Sequence, residues 1–210
     1  MQLRSNDISD QQPIPARFAF GKLADDAPMA LSDNVSPHLA WSEVPEGTRS
    51  FAVLCVDPDV PSKADDVNQE GKTLPADMPR VDFCHWVMID IPPQLTELDS
   101  GACGEGVVAG GKQHPPGPAG TRQGLNDYTG FMAGNPDMAG QYHGYDGPCP
   151  PWNDERLHHY VFTVYALDVD RLDLPDEFGG ADALKAMDGH VLGQASLTGT
   201  YSLNPQIAKR

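Results

Sequence analysis

Basic residues are scarce in this 210-residue chain. It has 14 lysines and arginines against 30 aspartates and glutamates, so its formal net charge is −16. A surface of this charge repels phosphate backbones and anionic lipid headgroups, which argues against nucleic-acid binding. It favours solubility and basic protein partners, but it does not determine the fold.

Long apolar segments are also missing. The longest uninterrupted apolar run covers residues 51–56, which is far too short to cross a bilayer. Residues 1–10 contain one arginine with no apolar core behind it, unlike a secretory signal. The expectation is therefore a soluble, cytoplasmic protein with no integral membrane segment.

Cysteine appears only four times, as Cys55, Cys84, Cys103 and Cys149, and never in C-x-x-C spacing. Cys55 and Cys84 lie within apolar runs. This pattern predicts ordinary buried thiols rather than metal ligands or disulfides. We expect no metal ion and no cofactor.

Glycine and proline, by contrast, are plentiful, with 21 and 20 residues and no collagen-like period. They predict many turns and long ordered loops instead of a helical bundle. Between them lie three strongly apolar segments, which predict strands at residues 51–56, 81–91 and 158–167. The first should end at Asp57, because Pro58 cannot donate to a strand ladder.

Weaker patterns predict further strands at residues 17–20, 38–41 and 190–203, and a helix at 182–188 that ends before Gly189. The glycine-rich segment 98–141 is too long for a plain connection and is expected to carry short elements or a function. Few helices and several short strands predict one mainly β domain over residues 1–210, built as an antiparallel sandwich.

One motif is misleading. Residues 106–112, GVVAGGK, satisfy the G-x-x-x-x-G-K core of a phosphate loop. However, Gln113 replaces the serine or threonine that would hold magnesium, and Pro115 and Pro116 follow where a helix should begin. We therefore expect no nucleotide site there.

Chemistry-bearing residues cluster at the ends of the predicted strands. Asp57 ends the first strand, His85 opens the apolar run HWVMIDI, and His158 and Tyr160 follow a Gly-Pro-rich loop. Alternation places His158 and Tyr160 on one face of their strand and His159 on the other. Each residue also has a structural interpretation: His85 as a buried histidine with satisfied hydrogen bonds, and Asp57 as a cap of the Pro58 turn.

Together, these residues predict a small cleft, provided that the strand ends meet. Histidine donors and backbone N–H groups can hold a phosphate or carboxylate. A neighbouring carboxylate would raise the histidine pKa and keep the imidazole cationic, which suits anion binding.

Several motifs resemble signature blocks of the phosphatidylethanolamine-binding protein family, also called Raf kinase inhibitor proteins. They are DPDVP at residues 57–61, HW at 85–86, and GPCPP at 147–151 followed by HHY at 158–160. GLNDY at 124–128 and GHVL at 189–192 look like the bacterial and archaeal branch of the family. The resemblance spans roughly residues 31–203 in the right order.

The resemblance implies a two-sheet antiparallel β-sandwich with an anion pocket that accepts phosphate-type groups, including phospholipid headgroups. The residues that match the family's pocket by position are Asp57, Asp59, His85, Gly147, Pro148, His158 and Tyr160. Eukaryotic members also inhibit kinases and proteases, and prokaryotic relatives are often homodimers. This chain departs from the family's pattern at His159, where arginine is usual, and at 152–156. Insertions at 62–79 and 101–143 are expected to cover part of the pocket mouth.

Three functions remain open at this point. The first is non-enzymatic binding of a small anionic ligand, with His85 and His158 donating to its oxygens, Tyr160 adding its hydroxyl and Asp57 orienting one histidine. The second is a protein-inhibitor role in which the acidic surface docks a basic partner. The third is an acid–base hydrolase, for which Cys149 is the only nearby nucleophile.

Overall fold

The computed structural model describes residues 1–208, which form eleven strands, two α-helices and two 3₁₀ turns. The strands are β1 (Gln2–Arg4), β2 (Gln12–Pro13), β3 (Gly21–Lys22), β4 (Ala30–Leu31), β5 (Leu39–Ser42), β6 (Ser50–Pro61), β7 (Arg80–Ile91), β8 (Glu97–Leu98), β9 (Arg122–Gln123), β10 (His158–Leu167) and β11 (Val191–Tyr201). The α-helices are α1 (Tyr128–Phe131) and α2 (Gly180–Met187), and the 3₁₀ turns are Ala16–Phe18 and Met132–Gly134.

A six-stranded sheet in the order β2-β11-β10-β6-β7-β9 forms the main layer, and the second layer is the three-stranded sheet β1-β5-β8. All neighbours pair antiparallel except β2 with β11. The core between the layers contains Trp41, Phe51, Trp86 and Phe162. The predicted antiparallel sandwich is therefore confirmed.

The other face of the large sheet has its own apolar cluster. Ala183 and Met187 of α2 pack there against Leu54 and Val87. Gly189 has a φ of +80°, a left-handed conformation that suits glycine and ends the helix where the sequence predicted. None of the helices within residues 1–208 is long and apolar enough to cross a membrane.

The strands predicted at 81–91, 158–167 and 190–203 agree with β7, β10 and β11 to within two residues. The strand predicted at 17–20 is wrong. The chain there makes a 3₁₀ turn, because the Phe18 N–H bonds to the Pro15 carbonyl and the Ala19 N–H to the Ala16 carbonyl.

The predicted stop at Asp57 is also wrong, since β6 continues through Pro58 to Pro61. The pairing of β6 with β7 shifts register between Asp57 and Val60. Such a bulge leaves a residue outside the regular ladder, so a proline can stand there without removing a needed donor.

Candidate ligand-binding site

A cavity of about 110 Å³ lies where the end of β6, the first half of β7 and the start of β10 meet. Its wall includes Asp57, His85, His158 and Tyr160. The sheet order explains the meeting, because β6 lies between β10 and β7 and pairs antiparallel with both. Four of the seven predicted pocket residues thus come together from three separate segments.

Much of the remaining wall is apolar and comes from the long loops. The residues that complete the wall are Val60, Pro61, Ala64, Val67, Asn68, Phe83, Tyr128, Phe131, Cys149, Pro150 and Pro151. Segments 62–79 and 101–143 both contribute, which agrees with the expectation that they cover part of the pocket.

His158 is completely buried and both of its ring nitrogens face carboxylates. Nδ1 donates to Asp57 Oδ2 at 2.7 Å, and Nε2 donates to Asp154 Oδ2 at 3.1 Å. Burial lowers the pKa of the imidazole, but the hydrogen bonds and charges of Asp154 and Asp57 outweigh it and raise the pKa to about 9. His158 is therefore a cation at neutral pH.

This arrangement corrects the expectation that His158 donates to a ligand, since neither N–H is available. Asp57 does orient one histidine, as expected. Its other oxygen, Oδ1, accepts from the Asp59 N–H at 2.8 Å, so it also caps the turn at Pro58. Asp154 is held in turn by the Arg80 guanidinium. The buried charges of Asp57, His158, Asp154 and Arg80 sum to zero.

His85 is in a different protonation state. Its Nδ1 lies 2.8 Å from the Asp146 carbonyl, and the Asp146 N–H returns a bond of 3.1 Å to the His85 carbonyl. A carbonyl can only accept, so Nδ1 carries the proton. Burial lowers the pKa of His85 below its ordinary value, although Asp57 and other carboxylates oppose the shift. The ring is therefore neutral at neutral pH.

Tyr160 brings an unpaired polar atom to the cavity. Its side chain is fully buried, and its hydroxyl makes no hydrogen bond of normal geometry within residues 1–208, with the Asp57 carboxylate as its nearby acceptor. Burial raises the pKa of this phenol, and the charge of Asp57 raises it further, so the hydroxyl keeps its proton. The ring meets the imidazole of His85 edge to face, at 5.1 Å between centroids.

Asp59, Gly147 and Pro148 lie outside the cavity wall, and their polar groups are engaged elsewhere. The Asp59 carboxylate accepts from Arg156 and His159. The Gly147 N–H donates to Asn34 at 2.8 Å. The Pro148 carbonyl accepts from the backbone of Phe20 and Gly21. These three residues support the site without lining it.

His159 turns away from the cavity, as alternation predicted, and its side chain is 40% exposed. Its Nδ1 lies 2.8 Å from Asp59 Oδ2, on the side where Arg156 also binds that carboxylate. His159 thus contacts an acid on the outer face, at the position where the resemblance would place arginine.

Sequence reasoning missed a buried polar cluster centred on Asp146. Its carboxylate accepts from Asn34 at 2.7 Å, Lys112 at 2.7 Å and Asn126 at 2.8 Å. Lys112, the lysine of the misleading phosphate-loop motif, is thus buried and paired inside the protein. Asp154 was missed too. A charged residue four positions before His158 was the only signal that pointed to it.

The charge state of His158 makes stability depend on pH. Its folded pKa of about 9 exceeds the ordinary value of 6.5, so its stabilising effect is complete below about pH 6.5 and is lost as pH rises through 9. The free energy of unfolding should fall by up to about 1.4 kcal/mol per pH unit between these values. Denaturant titrations across this range should show the slope, and a His158→Gln variant should lack it.

Comparisons with known proteins agree with this fold and with the family resemblance. A family model described as phosphatidylethanolamine-binding protein matches residues 4–202. The UPF0098 protein YbhB of Escherichia coli is 34% identical over 202 residues, covering 96% of this chain and 100% of its own length. A UPF0098 protein of Methanothermobacter thermautotrophicus is 35% identical over 201 residues, covering 96% of this chain and 98% of its own.

Solved structures show the same relationship. The crystal structure of Escherichia coli YbcL, described as a new member of the mammalian PEBP family, superposes with a TM-score of 0.68 at 28% identity. The match covers 96% of this chain and 97% of YbcL. The homologue CT736 of Chlamydia trachomatis gives a TM-score of 0.63, also at 28% identity, with 96% of each chain covered. This chain therefore belongs to the phosphatidylethanolamine-binding protein family.

Proposed function

We propose that the cavity binds a small phosphate-type oxyanion and does not transform it. The observation that carries this proposal is the hydroxyl of Tyr160, which is buried at the cavity with no partner. A buried polar group without a hydrogen bond costs about 1–3 kcal/mol. A ligand oxygen that accepts from this hydroxyl would remove that cost, so the site favours a polar ligand.

The size of the cavity supports a small ligand or the head of a larger one. Its volume of about 110 Å³ is well below the roughly 300–1,000 Å³ of drug-sized sites. Polar groups lie at Asp57, His85 and Tyr160, whereas Phe131, Val67 and the prolines form apolar wall. The polar head of a ligand would contact the polar groups, and an apolar substituent of the ligand would lie against the apolar wall.

The states of His158 and Cys149 argue against a catalytic role for these two residues. His158 is held as a cation by two carboxylates, so it has no lone pair with which to act as a base. Cys149 is the only thiol in the wall, and burial raises its pKa to about 12. A thiol of this pKa is not a nucleophilic thiolate at neutral pH.

Replacing Tyr160 with phenylalanine tests the proposal directly. The change keeps the ring and removes only the unpartnered hydroxyl. We expect phosphate affinity to fall roughly tenfold to a hundredfold, as for a lost hydrogen bond to a charged group. Stability should stay the same or rise slightly. Isothermal titration calorimetry and denaturant unfolding measure the two quantities.

Tyr165→Phe is a suitable control, because Tyr165 lies on the same strand but outside the cavity wall. Equal phosphate affinities for wild type and Tyr160→Phe would contradict the proposal. Association with a basic partner through the acidic surface would behave differently: it would weaken strongly with salt and survive the Tyr160→Phe change.

A further inference from the structure

The orientation of His85 determines which hydrogen-bonding group the cavity offers. Because Nδ1–H is used by the Asp146 carbonyl, the neutral ring has only a lone pair left, on Nε2. No residue among 1–208 hydrogen-bonds to Nε2, and the ring lines the cavity. His85 is therefore an acceptor toward a ligand and not the donor that anion binding would ordinarily use.

Asp146 keeps the ring in this orientation. Its backbone bonds to His85 twice, and its carboxylate is anchored by Asn34, Lys112 and Asn126. With the carbonyl held at 2.8 Å from Nδ1, the alternative tautomer would set two lone pairs against each other. Asp146 is thus a positioning residue for the imidazole.

The groups around the ring come from every neighbouring element. They are Asp57 of β6, Phe83 of β7, Asp127 and Tyr128 at α1, Asp146, and His158 and Tyr160 of β10. The cation in the cavity wall, His158, is already shared by two carboxylates. None of the other residues in the cavity wall carries a positive charge that could replace a missing donor at Nε2.

We propose that this site selects oxyanions that carry their own proton, with Tyr160 donating to one ligand oxygen and His85 Nε2 accepting from a ligand O–H. The inference rests on the proposed function and narrows its ligand class. Inorganic phosphate retains an O–H at neutral and mildly alkaline pH, whereas a phosphomonoester retains one only as its monoanion, which predominates below its second pKa of about 6. Sulfate and phosphodiesters have no such proton, so their oxygens would face the lone pair of Nε2.

A ligand without a proton can bind well only when His85 itself is protonated. Because the pKa of His85 lies below 6.5, fewer than about one ring in thirty is protonated at pH 8. Rejection of such ligands therefore comes from an unfavourable contact, which is a strong source of specificity.

Inorganic phosphate and sulfate are the probes, since both are small tetrahedral anions and differ in the proton. Calorimetry on the full chain should show phosphate binding at least roughly thirtyfold tighter than sulfate near pH 8. The ratio should shrink as pH falls toward about 6, because protonated His85 can donate to sulfate. A ratio near one at about pH 8 would overturn the inference.

His85→Gln is the matched variant, because its amide can either donate or accept. We expect this variant to bind phosphate and sulfate with similar affinity at both pH values. Tyr160→Phe should weaken both anions and leave their ratio high. Nitrogen chemical shifts of His85 should report a protonated Nδ1 in the free protein, and a protonated Nε2 would overturn the inference. Failure of both anions to bind at any pH would instead contradict the proposed function.

Discussion

Replacing His158 with glutamine should lower the free energy of unfolding by about 3–5 kcal/mol, the usual effect of removing one partner from a buried ion pair. His158 is fully buried between Asp57 and Asp154, and its cation is shared by both. Glutamine cannot supply the charge, so the Asp57 carboxylate would remain buried without a cation. Asp154 would keep its ion pair with Arg80. Chemical denaturation at about pH 7, monitored by circular dichroism, measures the loss.

His159→Gln is the matched control for this experiment. His159 is the next residue, also pairs with an aspartate, but is 40% exposed, and its partner Asp59 retains Arg156. Because the histidine is exposed and the aspartate keeps a second cation, we expect a loss of only about 0–1 kcal/mol. Similar losses in the two variants would show that His158 does not have the buried ionic role assigned to it.

Replacing Lys112 with methionine, outside the cavity wall, should have an effect of similar size. Lys112 is buried, and its ammonium donates to Asp146 Oδ1 at 2.7 Å and to the Tyr145 carbonyl at 3.2 Å. Methionine would fill much of the space but leave the Asp146 carboxylate with only neutral donors. We expect a loss of about 3–5 kcal/mol in denaturant unfolding.

A double variant separates charge from packing. Lys112→Met combined with Asp146→Asn removes both charges, and buried pairs replaced in this way often show little net change. The double variant should therefore be clearly more stable than Lys112→Met alone. Lys72→Met is the surface control, because the Lys72–Asp66 pair is about half exposed. If the stability losses of Lys112→Met and Asp146→Asn simply add in the double variant, the two residues do not form a buried ion pair.

A His158 variant is a poor test of ligand binding. Loss of binding in a His158 variant would not distinguish a missing contact from a disturbed site, since both ring nitrogens serve the protein itself. Tyr160 and His85 are better positions for such tests. Their free groups, the phenol and Nε2, make no hydrogen bond within residues 1–208.

Much of the site was visible in the sequence because it follows local rules. Apolar runs bounded by Gly and Pro located β7 and β10, and the period of two placed His158 and Tyr160 inward and His159 outward. The motifs around Asp57, His85 and the GPCPP loop correctly predicted which three segments meet at the cavity. The same local rules failed at Pro58, where a bulge in the pairing with β7 let the strand continue.

Local sequence therefore determined the strands β7 and β10, their inward faces and the residue types of the cavity. Only the tertiary structure decided their protonation states, because these depend on partners far away in the chain. Asp57 and His158 are 101 positions apart, and His85 and Asp146 are 61 apart. Contacts of this kind make one histidine a cation at neutral pH and the other a neutral acceptor. Burial then strengthens the difference, since a charge removed from water persists only where a partner stabilises it.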